Sequence, residues 1–399
     1  MELTGIRTME APSPGRVRLV GDVRYDGGSR ATEAYWYEVP GDLADSLSRT
    51  GNPWLACLLP VAAAIGEPLR LRAPVDELLL RGAEEILAIW SAWYPGVRAV
   101  ALEADVAARP AGGTRSAAFF TGGVDSFFTA LRHTGPPESA IRVDELLTIG
   151  GLDIPLGHAD AAARRRERLS AAAARMGVGL SEITTNLKET RLREADWHDL
   201  SHGPVIVSAG LALEGRYRRL LVASTKAYGS LQPIGSHPLT DPLLSTRGTS
   251  VLHDGASHGR GAKIAFISRF DVAMDALHVC YRGKDDANCG ECEKCLRTLM
   301  WLELSGRRDA CRTFAAGPLD LRRVERIFLV SSLQPYYREL RSAAAGAGRR
   351  DLVRAVDRSA RRSTVRRRMV RVAEGLRDRR LLWRAARPLR RAALAGAVV

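Results

Sequence analysis

The chain has 399 residues, 46% of them hydrophobic and 26% charged, a composition that excludes a disordered chain and, at about 150 residues per domain, predicts two to three domains. Its net charge of +14 is unevenly placed: from Arg341 onward there are 18 arginines against 4 acidic residues, so residues 1–340 are close to neutral. A basic C-terminal appendage is therefore required, and a basic groove over a catalytic body is not.

"MELTGIRTMEAPSPGR" lacks the apolar segment of a signal peptide. "PWLACLLPVAAAIG" falls short of the ~20 residues that span a bilayer, so a cytoplasmic location is expected. "RVRLVGDVRY" and "AYWYEVP" predict two strands, "PWLACLLPVAAAIG" and "VDELLLRGAEEILAIWSAWYP" two helices, and "VRAVALEAD" a further strand. Together they form an expected N-terminal α+β domain over residues 1–108, closed by the Pro- and Gly-containing linker "ARPAGGTRS". Its Trp36, Trp54, Trp90 and Trp93 are expected in the core.

From residue 116 to 330 strand and helix signals alternate, with "SAAFF", "DELLTIGG", "GLSEITTN" and "RLLVAST" as strands. That pattern predicts a doubly wound α/β domain with a mainly parallel sheet. Within it, "FFTGGVDSFFTALR" sets a bare turn between a strand and a helix, where backbone N–H groups converge on a helix N-terminus. Gly122 and Gly123 permit close approach of a phosphate, while Asp125 and Ser126 either cap the helix or meet a phosphate and its Mg²⁺. The stretch is neither a Walker A loop nor G-x-G-x-x-G.

"TGGVDS" resembles the Ser-Gly-Gly-x-Asp-Ser loop of the ATP pyrophosphatases, or PP-loop enzymes, with Thr121 in place of the first serine. The resemblance implies a PP-loop (adenine nucleotide alpha hydrolase-like) sheet. It also implies ATP bound by Thr121, Gly122, Gly123, Val124, Asp125 and Ser126, with Asp125 and Ser126 acting in catalysis. In that superfamily a carboxylate or carbonyl attacks the α-phosphorus, and a nitrogen or sulfur nucleophile then displaces AMP.

Further on, "HVCYRGKDDANCGECEKCLRT" places Cys280, Cys289, Cys292 and Cys295 as C-x8-C-x2-C-x2-C, which suits a closed tetrahedral Zn²⁺ site; a redox pair and an iron–sulfur cluster remain alternatives. The two motifs together resemble the 7-cyano-7-deazaguanine synthases, which turn a carboxyl group into a nitrile with ATP and ammonia. The resemblance spans roughly residues 116–305. The first gap between cysteines is about one residue longer than is usual in that family, and the purine-recognition residues have no match here. A different acid, small-molecule or peptide, is therefore expected, with a nitrogen donor; pairing of two copies as a homodimer stays open.

The loop "ASTKAYGSLQPIGSHPLTDPLLSTRG" follows a strand, beyond whose carboxyl end α/β sheets bind ligands. Lys226 or Arg247 could clamp a phosphate or carboxylate and His237 accept a proton; alternatively Asp241 caps a turn and His237 is a surface residue. Asp153 lies at another strand end, toward an expected nucleotide. Two further readings compete with an AMP-forming ligase. One is sulfur transfer to RNA, for which Cys311 among basic residues is the candidate and Cys57 is expected to be buried and inert. The other is a non-catalytic nucleotide-binding module. The arginine-rich segment 331–399 is expected to be helical, and packing on its own protein, an anionic membrane and RNA compete as its use.

Overall fold

The computed structural model describes residues 1–27, 31–106, 112–135, 141–282 and 287–378. The first part of the chain contributes β1 (Glu2–Glu10), β2 (Arg16–Arg24), β3 (Thr32–Pro40), α1 (Asn52–Ile65), β4 (Leu69–Val75), α2 (Glu77–Trp93) and β5 (Leu102–Val106). There follow β6 (Arg115–Phe119), α3 (Val124–Thr134), β7 (Glu145–Gly150), α4 (Ala159–Arg175), β8 (Gly179–Thr185), α5 (His202–Leu211), β9 (Tyr217–Ala223) and β10 (Ser250–Asp254). The alternation expected from residue 116 is present. All ten strands form one α/β sheet, in the order β10-β9-β6-β7-β8-β3-β2-β1-β4-β5.

Strands β6 to β10 pair in parallel. The central strands β6, β7 and β9 carry apolar runs, as expected where helices cover both faces, whereas β8 alternates and β10 is mostly half-buried. Helix α5 packs on β7 and β9, α3 on β6 and β9, and α4 on β8. Side chains alternate along the strands. Ala117, Phe119, Leu147 and Ile149 thus share one core with α5 and with α1, whose Trp54, Leu55 and Leu58 are fully buried.

The expected separation of residues 1–108 as a domain of their own is corrected. Strand β3 pairs antiparallel with β8, Tyr37 opposite Thr185 and Glu38 opposite Thr184. Asn186 clamps β3 from both sides: its Oδ1 accepts from Trp36 N at 2.9 Å and its Nδ2 donates to Ala34 O at 2.8 Å. The Tyr37 hydroxyl donates to Ser208 Oγ at 2.8 Å. The residues expected to link two domains run between neighbouring stretches of one sheet, with 107–111 outside the described residues. The compact units divide elsewhere, one ending at His258 and the other beginning at Gly259, so the expected boundary at 330 is corrected as well.

Glu214 is a second bond between the two halves of the sheet. It is 5% exposed and accepts from Ser48 Oγ, from Thr50 Oγ1 at 2.7 Å and from Asn52 Nδ2 at 2.8 Å. Glu214→Ala would leave these donors unsatisfied inside the protein, so a loss of about 2–4 kcal/mol is expected in urea unfolding. A change under 0.5 kcal/mol would contradict this role.

The second unit holds α6 (Arg260–Ile267), α7 (Asp271–Ala276), α8 (Glu293–Leu304), α9 (Leu321–Arg326), α10 (Gln334–Gly346) and α11 (Arg350–Asp378). Helix α11 packs on α9 and α10. Its Leu352 and Val356 are buried, while Val365 is 52% exposed. Ser359 Oγ donates to Ile327 O at 2.8 Å, and Leu329 N donates to Ser363 Oγ at 2.8 Å. The first turns of the arginine-rich segment are thus built into this unit and are not an appendage. Residues 379–399 of that segment lie outside the described residues. No helix among the described residues is long and apolar enough to cross a membrane.

Candidate functional site

From β6 the chain moves to β7 and β8 on one side, then returns to place β9 and β10 on the other. The direction of winding therefore reverses between β6 and β9, and open α/β sheets leave a crevice beyond the carboxyl ends of such strands. The segment 120–123 leaves β6 at this point. Gly122 takes φ +75°, a left-handed conformation that side chains resist. Gly123 is the N-cap of α3, and no side chain caps that helix. Its first-turn N–H groups thus carry the positive end of the helix dipole to the strand end.

Neither Asp125 nor Ser126 is the helix cap that the alternative reading expected. The Ser126 hydroxyl is buried, donates to Gly123 O at 3.1 Å and lies 3.3 Å from Thr121 Oγ1. Thr121 N and Gly123 N approach the Ser126 and Thr121 hydroxyls at 3.3 and 3.4 Å, which draws the loop into a small concave turn. Val124 is buried in the core, while Asp125 is half-buried in the first turn.

Lys226 follows β9, the neighbour of β6, so the topology brings it to the same crevice edge; it is 4% exposed. Ser224 fixes its backbone by donating to Lys226 O at 2.6 Å. Asp153 follows β7 and is exposed, with Arg165 at 3.3 Å.

The rest of the polar loop serves the fold. His237 is 4% exposed, its ring edge-on to Trp93 with centroids 4.9 Å apart, and its Nδ1 accepts from Leu239 N. Burial, together with the nearby His253, holds its imidazole below the usual range. Asp241 is fully buried, 2.7 Å from both Ser236 Oγ and His253 Nδ1. Arg247 pairs with Glu77, and its N–H meets Asp76. His237 thus packs against Trp93 and the exposed Arg247 is engaged by Glu77, and the surface position considered for His237 is corrected.

In the second unit the four cysteines assemble as their spacing predicts. Their sulfurs all lie within 4.8 Å of one another, with Cys280 to Cys292 at 4.0 Å and Cys289 to Cys295 at 3.8 Å. A tetrahedral site with Zn–S bonds of about 2.3 Å has edges of about 3.8 Å. Disulfide sulfurs would stand about 2.05 Å apart. Gly290 turns the knuckle at φ +69°, and the N–H groups of Glu291 and Cys292 point at Cys289 Sγ, 3.4 and 3.2 Å away. A hydrogen bond from the Cys295 thiol, foremost among several, lowers the pKa of the Cys292 thiol from its usual range, toward the anionic form a metal requires.

Sequence reasoning missed the brace of this knuckle. Asn288 Oδ1 accepts from Val279 N and Cys280 N at 2.9 and 3.2 Å, and its Nδ2 donates to Leu277 O at 2.8 Å and Thr313 Oγ1 at 3.1 Å. Its place beside Cys289 is the one sequence signal it carries. A second missed group lies under α3, where Asp254 accepts from Thr129 Oγ1 at 2.8 Å and lies 3.0 Å from His133 Nε2. Burial works to raise the Asp254 carboxyl, but these partners and Arg132 overcome it and hold it below the ordinary carboxylate range.

The remaining cysteines are not poised as nucleophiles. Burial pushes the Cys57 thiol up to about 12, and Cys311, 2% exposed, is also raised by burial despite its basic neighbours.

The chain matches no protein-family model, no curated protein and no solved structure in comparison. Fold and sites together define an α/β protein with a large, mainly parallel sheet and a four-cysteine cluster able to hold a metal ion such as zinc.

Proposed function

We propose that this protein is an ATP-dependent, AMP-forming ligase that adenylates a carboxylate-like substrate for attack by nitrogen. The observation that carries the reading is the uncapped N-terminus of α3, preceded by the left-handed Gly122, at the point where the winding of the sheet reverses. Such a turn offers fixed N–H donors to a pyrophosphate as charge develops on it. A substrate carboxylate oxygen attacks the α-phosphorus and pyrophosphate leaves; the nitrogen lone pair then attacks the acyl carbon and AMP leaves.

In this reading the first-turn N–H groups of α3 hold the departing pyrophosphate, Asp125 faces its Mg²⁺, and Lys226 supplies positive charge at the crevice edge. The four-cysteine site holds Zn²⁺ in a structural role, since four thiolates leave no open position for chemistry. Sulfur transfer is disfavoured by the burial of Cys57 and Cys311.

The test is incubation with ATP, Mg²⁺, ammonia and candidate acids, 7-carboxy-7-deazaguanine among them. AMP and pyrophosphate in equal amounts are expected, dependent on one acid. Formation of ADP and phosphate alone would sink the reading, and binding of ATP without turnover would favour a nucleotide-sensing module.

A further inference from the structure

A groove of about 570 Å³ runs between the end of α9 and the outer face of α11. Four of its eight lining residues are arginines, Arg326, Arg361, Arg362 and Arg366, and none is acidic; Phe328 and Val365 supply an apolar floor. Two carboxylates near the groove on these helices are already engaged, Asp357 with Arg341 at 2.6 Å and Glu325 with Arg358 at 2.6 Å. Arg326 and Arg362 are exposed, with no carboxylate at ion-pair distance among the described residues, and the exposed Arg361 lies near Asp357, whose carboxyl it helps Arg341 to lower.

The groove is held in shape from beneath. The segment 327–329 is tied to α11 by the two serine hydrogen bonds described above, so the guanidinium groups border a rigid trough. Arg362 and Arg366 stand four residues apart on α11, about 6 Å along the axis at about 1.5 Å per residue. The Arg366 guanidinium lies 5.3 Å from the centre of the half-buried Phe328 ring.

We infer that this groove binds the backbone of a single-stranded nucleic acid, with phosphates on the arginines and a base on the Phe328–Arg366 platform. Guanidinium groups bind phosphate oxygens in a planar fork and stack on rings, and sequence-tolerant strand binding combines a basic track with an aromatic surface. A membrane surface fits less well. Bilayer binding needs a broad apolar face beyond the cations, whereas Phe328 is half-buried beside Arg366 and, among the groove's lining residues, Val365 alone is an exposed apolar side chain. The inference does not depend on the adenylation reading.

The probe is a fluorescein-labelled uridylate 12-mer, titrated with the full chain by anisotropy between 50 and 300 mM salt. The charge reversal Arg326→Glu with Arg362→Glu should weaken binding at least tenfold. It should also flatten the slope of log K against log salt by about 1.4, at about 0.7 for each phosphate deprived of its arginine. Phe328→Ala should weaken binding about fivefold or more and leave the salt slope unchanged, because it removes stacking and no charge. Unchanged melting by circular dichroism establishes that the variants fold, and Arg326→Gln with Arg362→Gln serves if the reversal does not.

Three results would overturn the inference. They are failure of the full chain to bind the 12-mer, equal affinity in the folded arginine variant, and binding to phosphatidylserine vesicles that is lost in the variant while 12-mer binding is kept.

Discussion

Serine in place of Cys292 is expected to release the metal and abolish cooperative unfolding of the second unit. Cys292 is both one of the four clustered cysteines and the N-cap of α8, so its loss loosens the cluster and the helix that carries Cys295. A serine hydroxyl stays protonated near neutral pH and cannot replace a thiolate. Structural zinc sites supply about 10–16 kcal/mol of apparent binding free energy to zinc-finger peptides, far above the margin of a typical domain. Metal analysis should find one Zn²⁺ per wild-type chain and well under one in the variant, and chelator should lower the melting temperature of the wild type alone. Asn288→Ala should be milder, retaining zinc but losing it faster to chelator, since it removes the brace and keeps the ligands. Iron in the purified protein, or an unchanged zinc content in the variant, would refute the assignment.

Valine at Gly123 is expected to abolish ATP binding with little effect on folding. The backbone there, at φ −82° and ψ 170°, is ordinary extended geometry that any residue adopts, so the substitution introduces no backbone strain. Gly122 would be a poorer test, because a branched side chain at φ +75° is strained whatever binds there. Ser126→Ala should weaken ATP by about twofold to tenfold, since the buried hydroxyl ties Gly123 O and Thr121 N into the turn through neutral hydrogen bonds worth about 0.5–1.5 kcal/mol. Asp125→Asn should impair Mg²⁺-dependent turnover more than binding. Thermal stability and ATP affinity are measured together. Unchanged affinity in Gly123→Val removes the basis of the proposed function.

The sequence made β6 to β9 legible because they are short apolar or alternating stretches between helical patterns, and the cysteine spacing made the four-cysteine cluster legible. Strands β1, β4 and β10 were not. In β1 the first two residues are buried and the rest mostly exposed, β4 carries Arg70, Arg72 and Pro74, and β10 is five residues long. The continuity of the sheet was hidden for another reason. Pairing of β3 with β8 joins residues about 150 positions apart through backbone groups and Asn186, which leave no periodic trace. In the polar loop, residue type suggested chemistry for His237 and Arg247, whereas burial against Trp93 and pairing with Glu77 decide their roles.

The bond from Tyr37 to Ser208 spans 171 positions of the chain. At about 5–20 residues per second of synthesis, the partner of β3 and α1 emerges roughly 10–30 s after them. During that interval Trp54, Leu55 and Leu58 have no α5 to cover them, and the outer edge of β3 has no β8. Spontaneous collapse takes microseconds, so the nascent N-terminal half has ample time to find wrong partners. Its survival on the ribosome is a matter of timing, and slower translation would lengthen the wait.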